Sequence, residues 1–132
     1  MADRSQGILL DSSVIIAHFR GKLDLFQLVD PSEPLFMPLI VLGELWKGSL
    51  KSANPSKHQE KILKLQKIVA VLNPDSATAI HYAKASTALE TVGQRIPEND
   101  LWIAAFALEL NMPLATRDAH FDRIEGLAVL KW

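Results

Sequence analysis

The sequence predicts an α/β fold: a three-layer α/β/α domain in which helices cover both faces of a mostly parallel central sheet. Short apolar runs without alternating polar residues recur along the chain, and such runs are typical of strands buried on both faces. Longer segments of helical periodicity separate them, as in parallel sheets whose strands alternate with helices. The 132 residues are the length of one domain, so we expect a single domain over residues 1–132, with residues 1–6 as a flexible extension.

The predicted strands are short and end at glycine, proline or polar residues. The first ends at the sequence Asp11-Ser12-Ser13, and the third ends at Asn73-Pro74. Each lies in a wholly apolar run, which favours burial inside the sheet. We predict strands over residues 7–10, 35–37, 69–72, 113–116 and 127–130.

The predicted helices begin near proline or capping residues, and several end near glycine. The most amphipathic one places Ile62 and Leu65, with Val69, on one face and lysines on another. A later helix opens at Pro97 and carries apolar residues at the spacing of a core-facing helix. We predict helices over residues 14–19, 22–29, 38–50, 55–68, 75–92 and 97–110.

The composition excludes several classes of protein. Hydrophobic residues make up 48% of the chain and charged residues 22%, which excludes intrinsic disorder. The absence of cysteine excludes a disulfide scaffold, a cysteine zinc site and thiol catalysis, and it fits a reducing cytosol. The longest apolar run, residues 101–108, is far shorter than the roughly 20 residues of a membrane span. We therefore expect a cytoplasmic protein without a membrane segment.

Four carboxylates occupy positions at which an α/β sheet would place a site. Asp11 directly follows the first strand, and Asp118 lies two residues beyond the strand that ends at Thr116. Ligands of open parallel sheets bind outside the carboxyl ends of the strands, so these two acids are expected to share a pocket. Asp100 lies in the first turn of its helix, and Glu44 interrupts an uncharged stretch. Asp11, Glu44, Asp100 and Asp118 are referred to below as the four acids.

Each of the four acids also has a local interpretation. Asp11 can cap the helix that follows it, Asp100 can interact with a helix dipole, and Asp118 can stabilise a turn. Glu44 can reach solvent or pair with a lysine. Carboxylates packed together repel one another unless a cation binds them, and hard oxygen ligands favour Mg²⁺ or Mn²⁺. The residues alone therefore leave a metal site and four local roles as alternatives.

The segments that contain the four acids are LLDSSVIIA, LGELWKG, IPENDLWIAAFAL and LATRDAHFDRI. With these segments the chain resembles the PIN-domain nucleases, most closely the VapC-type toxins of bacterial and archaeal toxin–antitoxin pairs. The resemblance runs from Gly7 to the C-terminus, with the segments in the order of the family. One such motif is weak, whereas four in order, each in its apolar context, are specific.

The resemblance implies a PIN-like domain in which the four acids form a catalytic site for Mg²⁺ or Mn²⁺. It also implies that the hydroxyls of Ser13 and Thr116 support this site, the alternative being bonds within their own turns. The implied activity is that of an endoribonuclease, in which metal-activated water hydrolyses RNA and leaves a 5′-phosphate and a 3′-hydroxyl. The implied partners are an RNA substrate, a VapB-like antitoxin and a second copy of the chain in a homodimer.

Residues 47–67, called the basic segment below, carry six lysines and one glutamate, so the local charge is +5 and the rest of the chain carries −6. A local excess of this kind predicts contacts to RNA phosphates, and the alternative is a solvated helix face. The whole chain has a net charge of −1, which argues against binding through a bulk positive field. The candidate RNA contacts are Lys47, Lys51, Lys57, Lys61 and Lys64.

Histidine and tryptophan residues give weaker indications. The four histidines lack metal-ligand spacing and are expected to pack or to lie on the surface: His18, His58, His81 and His120. Trp46 and Trp102 each lie close to one of the four acids. We expect both rings to pack in a core or a dimer rather than to stack on bases.

Two other functions compete with the ribonuclease. The chain can be a catalytically quiet PIN-like subunit that acts mainly as an antitoxin-binding or DNA-regulatory partner. It can also be a phosphoryl-transfer domain with an acidic Mg²⁺ pocket, but a haloacid-dehalogenase-type phosphatase would need a second aspartate where Ser13 stands. A response-regulator receiver would need an aspartate directly after Met37 or Leu72, and neither position is followed by one.

Overall fold

The structure is a computed structural model that describes residues 7–132, so the extension expected at residues 1–6 lies outside the described residues. The strands are β1 (Ile8–Leu10), β2 (Leu35–Pro38), β3 (Val69–Leu72), β4 (Leu114–Thr116) and β5 (Val129–Lys131). They form one sheet in the order β3-β2-β1-β4-β5, and each pairing between neighbours is parallel. The predicted parallel sheet is confirmed.

Helices connect the parallel strands, as predicted. They are α1 (Ser12–Phe19), α2 (Leu25–Leu28), α3 (Leu39–Leu50), α4 (Pro55–Leu65), α5 (Ser76–Thr91) and α6 (Glu98–Leu110). The chain adds β2 and β3 on one side of β1 and then crosses to add β4 and β5 on the other. Right-handed crossovers therefore place α1 to α4 on one face of the sheet and α5 and α6 on the opposite face. Between residues 7 and 132, no helix combines the length and apolar character needed to cross a membrane.

The strand order reverses between β1 and β4, and this places their carboxyl ends side by side. Leu9 pairs with Phe36 of β2 and with Leu114 of β4, and it is fully buried. The Asp11 N–H donates a hydrogen bond to the Ala115 carbonyl at 3.0 Å, which extends the pairing to the strand ends. Ligand sites of open parallel sheets lie at such a reversal.

Two predicted helices exceed the observed ones by three or more residues. The helix predicted over residues 22–29 is reduced to α2, because Asp24 caps a start three residues later than expected and accepts a hydrogen bond from the Phe26 N–H at 3.0 Å. The helix predicted over residues 55–68 is observed as α4, which ends at Leu65. Val69 pairs in the sheet as the first residue of β3, so its apolar side chain belongs to a strand and not to the helix face.

The C-terminal region also differs from the prediction. The strand predicted over residues 127–130 is observed as β5, which begins later and extends to Lys131, because Lys131 pairs with Thr116. A 3-10 helix over Ala119–Arg123, which no periodicity indicated, connects β4 to this strand. Asp118 caps it by accepting a hydrogen bond from the His120 N–H at 2.9 Å. Short turns of this type depend on a single capping residue, and they lack the repeat that marks a longer helix.

Gly7 is a sharp constraint on the entry to β1. Its φ is +99°, and an added Cβ would lie 2.5 Å from the Phe36 ring and 2.8 Å from the Pro34 carbonyl oxygen. Gly93 has a φ of +67°, but nothing lies within 4 Å of its added Cβ. Alanine at Gly93 would therefore introduce backbone strain alone, whereas alanine at Gly7 would introduce both backbone strain and steric overlap.

We expect Gly7→Ala to lower the free energy of unfolding by about 2–5 kcal/mol, because left-handed strain and overpacking add. The matched control Gly93→Ala is expected to lose about 1–2 kcal/mol from backbone strain alone. Urea unfolding followed by circular dichroism measures both. Equal losses in the two variants would contradict the steric constraint at Gly7.

Candidate active site

Asp11 is the buried anchor at the carboxyl end of β1. Its side chain is 3% exposed and accepts three hydrogen bonds. The Ser12 N–H donates to Oδ1 at 2.8 Å, and the hydroxyls of Ser13 and Thr116 each donate to Oδ2 at 2.7 Å. Asp11 is thus both the cap of α1 and part of a polar cluster, so the two interpretations of this residue are compatible.

The same two hydroxyls connect Asp11 to the loop that follows β4. The Ser13 Oγ accepts a hydrogen bond from the Arg117 N–H at 2.9 Å, and the Thr116 Oγ1 accepts one from the Asp118 N–H at 2.9 Å. Thr116 is fully buried, so its hydroxyl is held away from competing water. These bonds fix the backbone of Asp118 relative to Asp11.

Asp100 and Asp118 meet at the imidazole of His120. Asp100 lies in the first turn of α6, and the 3-10 helix brings His120 against it. The His120 Nδ1 lies 3.0 Å from Asp100 Oδ2 and 3.1 Å from Asp118 Oδ1. These three atoms all lie within 4.8 Å of one another. His120, which was expected to pack or to lie on the surface, is partly exposed and also contacts two of the four acids. The Asp-x-His spacing between Asp118 and His120 could have indicated one of these contacts.

Glu44 approaches from α3 as a half-buried carboxylate. Its Oε2 accepts a weak hydrogen bond from the Asn99 amide at 3.4 Å, and its buried Oε1 has no hydrogen-bond partner among residues 7–132. Burial has the largest effect on the pKa of Glu44 and raises it, the side chains of Asn99 and Ser12 lower it by hydrogen bonding, and the negative charges of Asp11 and Asp100 raise it. Sequence reasoning missed Asn99, which occupies the second position of α6 next to Asp100.

Electrostatic coupling places the four acids in one cluster. Burial raises the pKa of Asp100 above its ordinary value, and the charges of Asp11 and Asp118 add to this effect while His120 opposes it. Glu44 is coupled to Asp11 and Asp100 in the same way. Four carboxylates from distant segments therefore converge on the carboxyl edge of the sheet, where their ionised forms repel one another.

The donor set fits a divalent cation. Carboxylate oxygens are the ligands that Mg²⁺ and Mn²⁺ prefer, and the buried Glu44 Oε1 lacks a protein donor within the described range. A buried polar atom without a partner is costly unless an ion or water satisfies it. Burial is the main cause of the raised pKa values of Glu44 and Asp100, and a cation would relieve the repulsion between carboxylates that adds to it.

Comparison with known proteins identifies the family. The PIN domain profile matches residues 8–127. The chain belongs to the PIN-domain family. Ribonuclease VapC1 from Haemophilus influenzae strain R2866 is 35% identical over 130 residues, which cover 94% of this chain and 96% of that protein. Ribonuclease VapC5 from Mycobacterium tuberculosis is 30% identical over 122 residues, which cover 91% of this chain and 89% of that protein.

Solved PIN-domain structures share the fold over almost the whole chain. The structure of VapBC-1 from nontypeable Haemophilus influenzae matches with a TM-score of 0.85 and 33% identity, covering 95% of this chain and 97% of that one. VapBC2 from Rickettsia felis, bound to a DNA fragment from its promoter, matches with a TM-score of 0.87 and 25% identity, covering 95% and 98%. The resemblance seen in the four acidic segments is therefore confirmed at the level of the family.

The structure sorts the lysines of the basic segment of this PIN domain. Lys61 donates a hydrogen bond to the Phe19 carbonyl at 3.1 Å, at the C-terminus of α1, and it is half-buried. Lys64 forms an exposed ion pair with Glu60 at 3.4 Å. The remaining candidate lysines are all exposed: Lys47, Lys51 and Lys57. Most of the candidate lysines thus lie on a solvated surface, and Lys61 is held by a hydrogen bond to α1.

A cavity of about 390 Å³ lies between the basic segment and Glu44, the member of the four acids that lines it. Glu44 and Lys61 both line it, together with Arg20, which sequence reasoning did not single out, and His58, which was expected to pack or to lie on the surface. No sequence spacing relates residue 20 to residue 58 or to Glu44, because the packing of α1, α3 and α4 creates this cavity. The PIN domain therefore places positive side chains beside one of its acids.

The tryptophans of this PIN domain are packed against protein. Trp102 stacks on Tyr82 with ring centroids 4.1 Å apart and planes 9° from parallel. Trp46 is partly buried and packs against the hydrophobic core. Both observations agree with the expectation that these rings pack rather than stack on bases.

The raised pKa of Glu44 predicts that Glu44→Gln stabilises the metal-free protein, and that the size of this stabilisation depends on pH. A carboxyl whose pKa is raised by folding stabilises the protein fully below its unfolded pKa, and this stabilisation is lost as the pH rises through the folded value. We therefore expect Glu44→Gln to be more stable than the wild type at pH 7, and the difference to disappear as the pH falls below the ordinary pKa of glutamate. Thermal melts from pH 4 to pH 7.5 with a chelator measure it.

Glu60→Gln is the matched control, because Glu60 is exposed and only pairs with Lys64. Its effect is expected to stay within about 0.5 kcal/mol, the range of surface substitutions. A Glu44→Gln variant that follows the wild type at all pH values would contradict the electrostatic coupling.

Proposed function

We propose that this chain is an endoribonuclease that depends on Mg²⁺ or Mn²⁺ and acts as the toxin of a VapBC-like toxin–antitoxin pair. The observation that carries the proposal is the acidic cluster at the carboxyl edge of the sheet, in which ligand atoms of Asp100 and Asp118 lie within 4.8 Å of each other and the charges of Asp11 and Asp100 act on the half-buried Glu44. Membership of the PIN-domain family and relatives named Ribonuclease VapC support RNA as the substrate.

Asp11, Asp100 and Asp118 are the residues that would hold the ion. Glu44 would join them either as a direct ligand or through a bound water, and the site accommodates one or two ions in this proposal. When bound, the metal supplies an activated water, polarises the scissile phosphate and neutralises charge on the leaving oxygen. Oxygen donors from carboxylates are the reason for choosing Mg²⁺ or Mn²⁺.

The chain's own residues position these carboxylates. Three donated hydrogen bonds hold Asp11 in a single orientation, so it is preorganised without cost at the moment of reaction. The Asn99 amide holds one oxygen of Glu44 and leaves the other without a protein donor. Without a cation, the four acids would repel an RNA phosphate, so the site is receptive to substrate only when the charge is neutralised.

The RNA backbone is proposed to approach along the basic segment. Lys47 follows Glu44 by three residues on α3 and shares its helix face, and Lys51 is the capping residue directly after the same helix. Lys61 lines the cavity that reaches Glu44, and Arg20 lies there as well. The full set of proposed phosphate contacts is Lys47, Lys51, Lys57, Lys61 and Lys64.

The partner and the assembly that we propose for this chain are those indicated by its relatives. Solved relatives are VapBC complexes, which supports a VapB-like antitoxin as the partner of this chain. We place the protein in the cytoplasm as a homodimer, with residues 1–132 forming one domain. The competing function, a catalytically quiet subunit that binds antitoxin or regulates DNA, predicts that calorimetry finds no Mn²⁺ binding to the isolated protein.

Replacing Asp100 with asparagine tests the catalytic proposal. We expect Asp100→Asn and Asp11→Asn each to reduce Mg²⁺- or Mn²⁺-dependent RNA cleavage by about 100-fold or more, since a charge that organises the site is lost. Cleavage of a labelled RNA and growth inhibition after induction measure the loss, and circular dichroism checks the fold. Removal of metal with a chelator is expected to abolish cleavage by the wild type.

Asp122→Asn is the matched control, because Asp122 lies on the same 3-10 helix as His120 but forms an exposed ion pair with Lys131 at 2.8 Å. It is expected to cleave RNA like the wild type. Cleavage that persists in both active-site variants would instead point to a contaminating nuclease and overturn the proposal.

The double variant Lys47→Ala/Lys51→Ala tests the RNA surface. Each phosphate contact to a single strand contributes about 0.7 to the slope of log affinity against log salt, so we expect the slope to fall by about 1.4. Fluorescence anisotropy with a single-stranded RNA in the Asp100→Asn background measures it over a series of KCl concentrations. Lys84→Ala on α5 is the control, and an equal slope change in the control would exclude a specific basic face.

A further inference from the structure

The imidazole of His120 occupies the space between two carboxylates of the proposed metal site. Its Nδ1 lies 3.0 Å from Asp100 Oδ2 and 3.1 Å from Asp118 Oδ1. Two ligand atoms that are each about 2.1 Å from one ion lie about 3 Å apart when they occupy adjacent octahedral positions. The separation of the nitrogen from each oxygen therefore matches that of neighbouring ligands on a single cation.

The fold holds this ring in place without closing it off. The backbone N–H of His120 donates a hydrogen bond to the capping Asp118 carboxylate at 2.9 Å, and this bond fixes the backbone of the turn. The next residue, Phe121, is fully buried and anchors the 3-10 helix in the core. The His120 side chain is itself 39% exposed, so an ion and its waters can reach it.

The chemistry of a nitrogen donor differs from that of the four acids. Mg²⁺ takes oxygen ligands, whereas imidazole suits first-row transition ions. A histidine among carboxylates is therefore a selective element and not simply another anchor. An imidazole that binds a metal ion carries no negative charge, so it would add a donor without adding to the repulsion between the carboxylates.

We propose that His120 is a nitrogen ligand of the ion held by Asp100 and Asp118, and that it makes the site prefer Mn²⁺ to Mg²⁺. The inference rests on the proposed function in one respect, namely that these two aspartates hold a cation. It adds a ligand and a basis for metal choice that the four acids do not provide.

Pulsed electron paramagnetic resonance of the full chain loaded with Mn²⁺ tests the inference directly. We expect the wild type to show modulation from a directly coordinated ¹⁴N nucleus, and labelling of histidine with ¹⁵N to change that pattern. His120→Gln is expected to lose the modulation. His81→Gln is the matched control and is expected to keep it, because His81 lies on α5 with its Nδ1 2.9 Å from the Ala77 carbonyl.

Calorimetry with Mn²⁺ and with Mg²⁺ supplies a second readout. We expect His120→Gln to raise the Kd for Mn²⁺ roughly tenfold or more and the Kd for Mg²⁺ by less than about threefold. Isotope labelling of the wild type keeps the test decisive even if the variant folds poorly, since that measurement needs no substitution.

The outcomes separate this inference from the proposed function. Mn²⁺ binding without nitrogen modulation, or equal weakening of both ions in His120→Gln, would overturn the role of His120 and leave the ribonuclease proposal standing. Failure of the wild type to bind either Mn²⁺ or Mg²⁺ would overturn both, and binding of Mg²⁺ alone would overturn only the role of His120. Nitrogen modulation in a protein that does not cleave RNA would support the ligand and contradict the ribonuclease.

Discussion

The hydrogen bond from the Asp11 N–H to the Ala115 carbonyl, 3.0 Å long, joins β1 to β4 where the strand order reverses. The rest of the site depends on this junction. It sets the Asp11 carboxylate beside the Thr116 hydroxyl, and the oxygen of that hydroxyl accepts a hydrogen bond from the Asp118 N–H. Residues more than a hundred positions apart in the chain thereby become parts of one hydrogen-bonded cluster, and any shift of register between β1 and β4 would separate them.

The cluster is assembled against electrostatic repulsion, and hydrophobic packing supplies the force that holds it. Glu44 is carried by a helix whose Val41 and Leu45 are buried, and Asp100 by a helix whose Leu101 and Ile103 are buried. The backbone that carries each carboxylate is thus held by its apolar neighbours. Burial raises the pKa values of Glu44 and Asp100, and the charges of neighbouring acids add to this effect, a pattern that is common at binding sites.

The distribution of charge follows the same division. A net charge of −1 conceals a basic segment of +5 and a remainder of −6. The two regions meet at the cavity lined by Glu44 and Lys61. Two of the lysines have partners within the protein, Lys61 at the end of α1 and Lys64 with Glu60, so the charge count of the segment overstates what it offers to a ligand. An anionic ligand at this cavity would therefore meet a local positive field beside an acid, which the overall charge does not reveal.

The sequence by itself determined the alternation of strands and helices, the parallel sheet and the four acids, because apolar runs and capping residues act locally and the acidic segments keep their order. It could not determine that His120 contacts Asp100, that Asn99 holds Glu44, or that Arg20 shares a cavity with Lys61. These contacts join residues with no common periodicity, and a tight 3-10 turn and the packing of separate helices create them. Local patterns thus decided which elements form, and only the tertiary structure decided which side chains meet, because long-range contacts depend on strand order and helix packing.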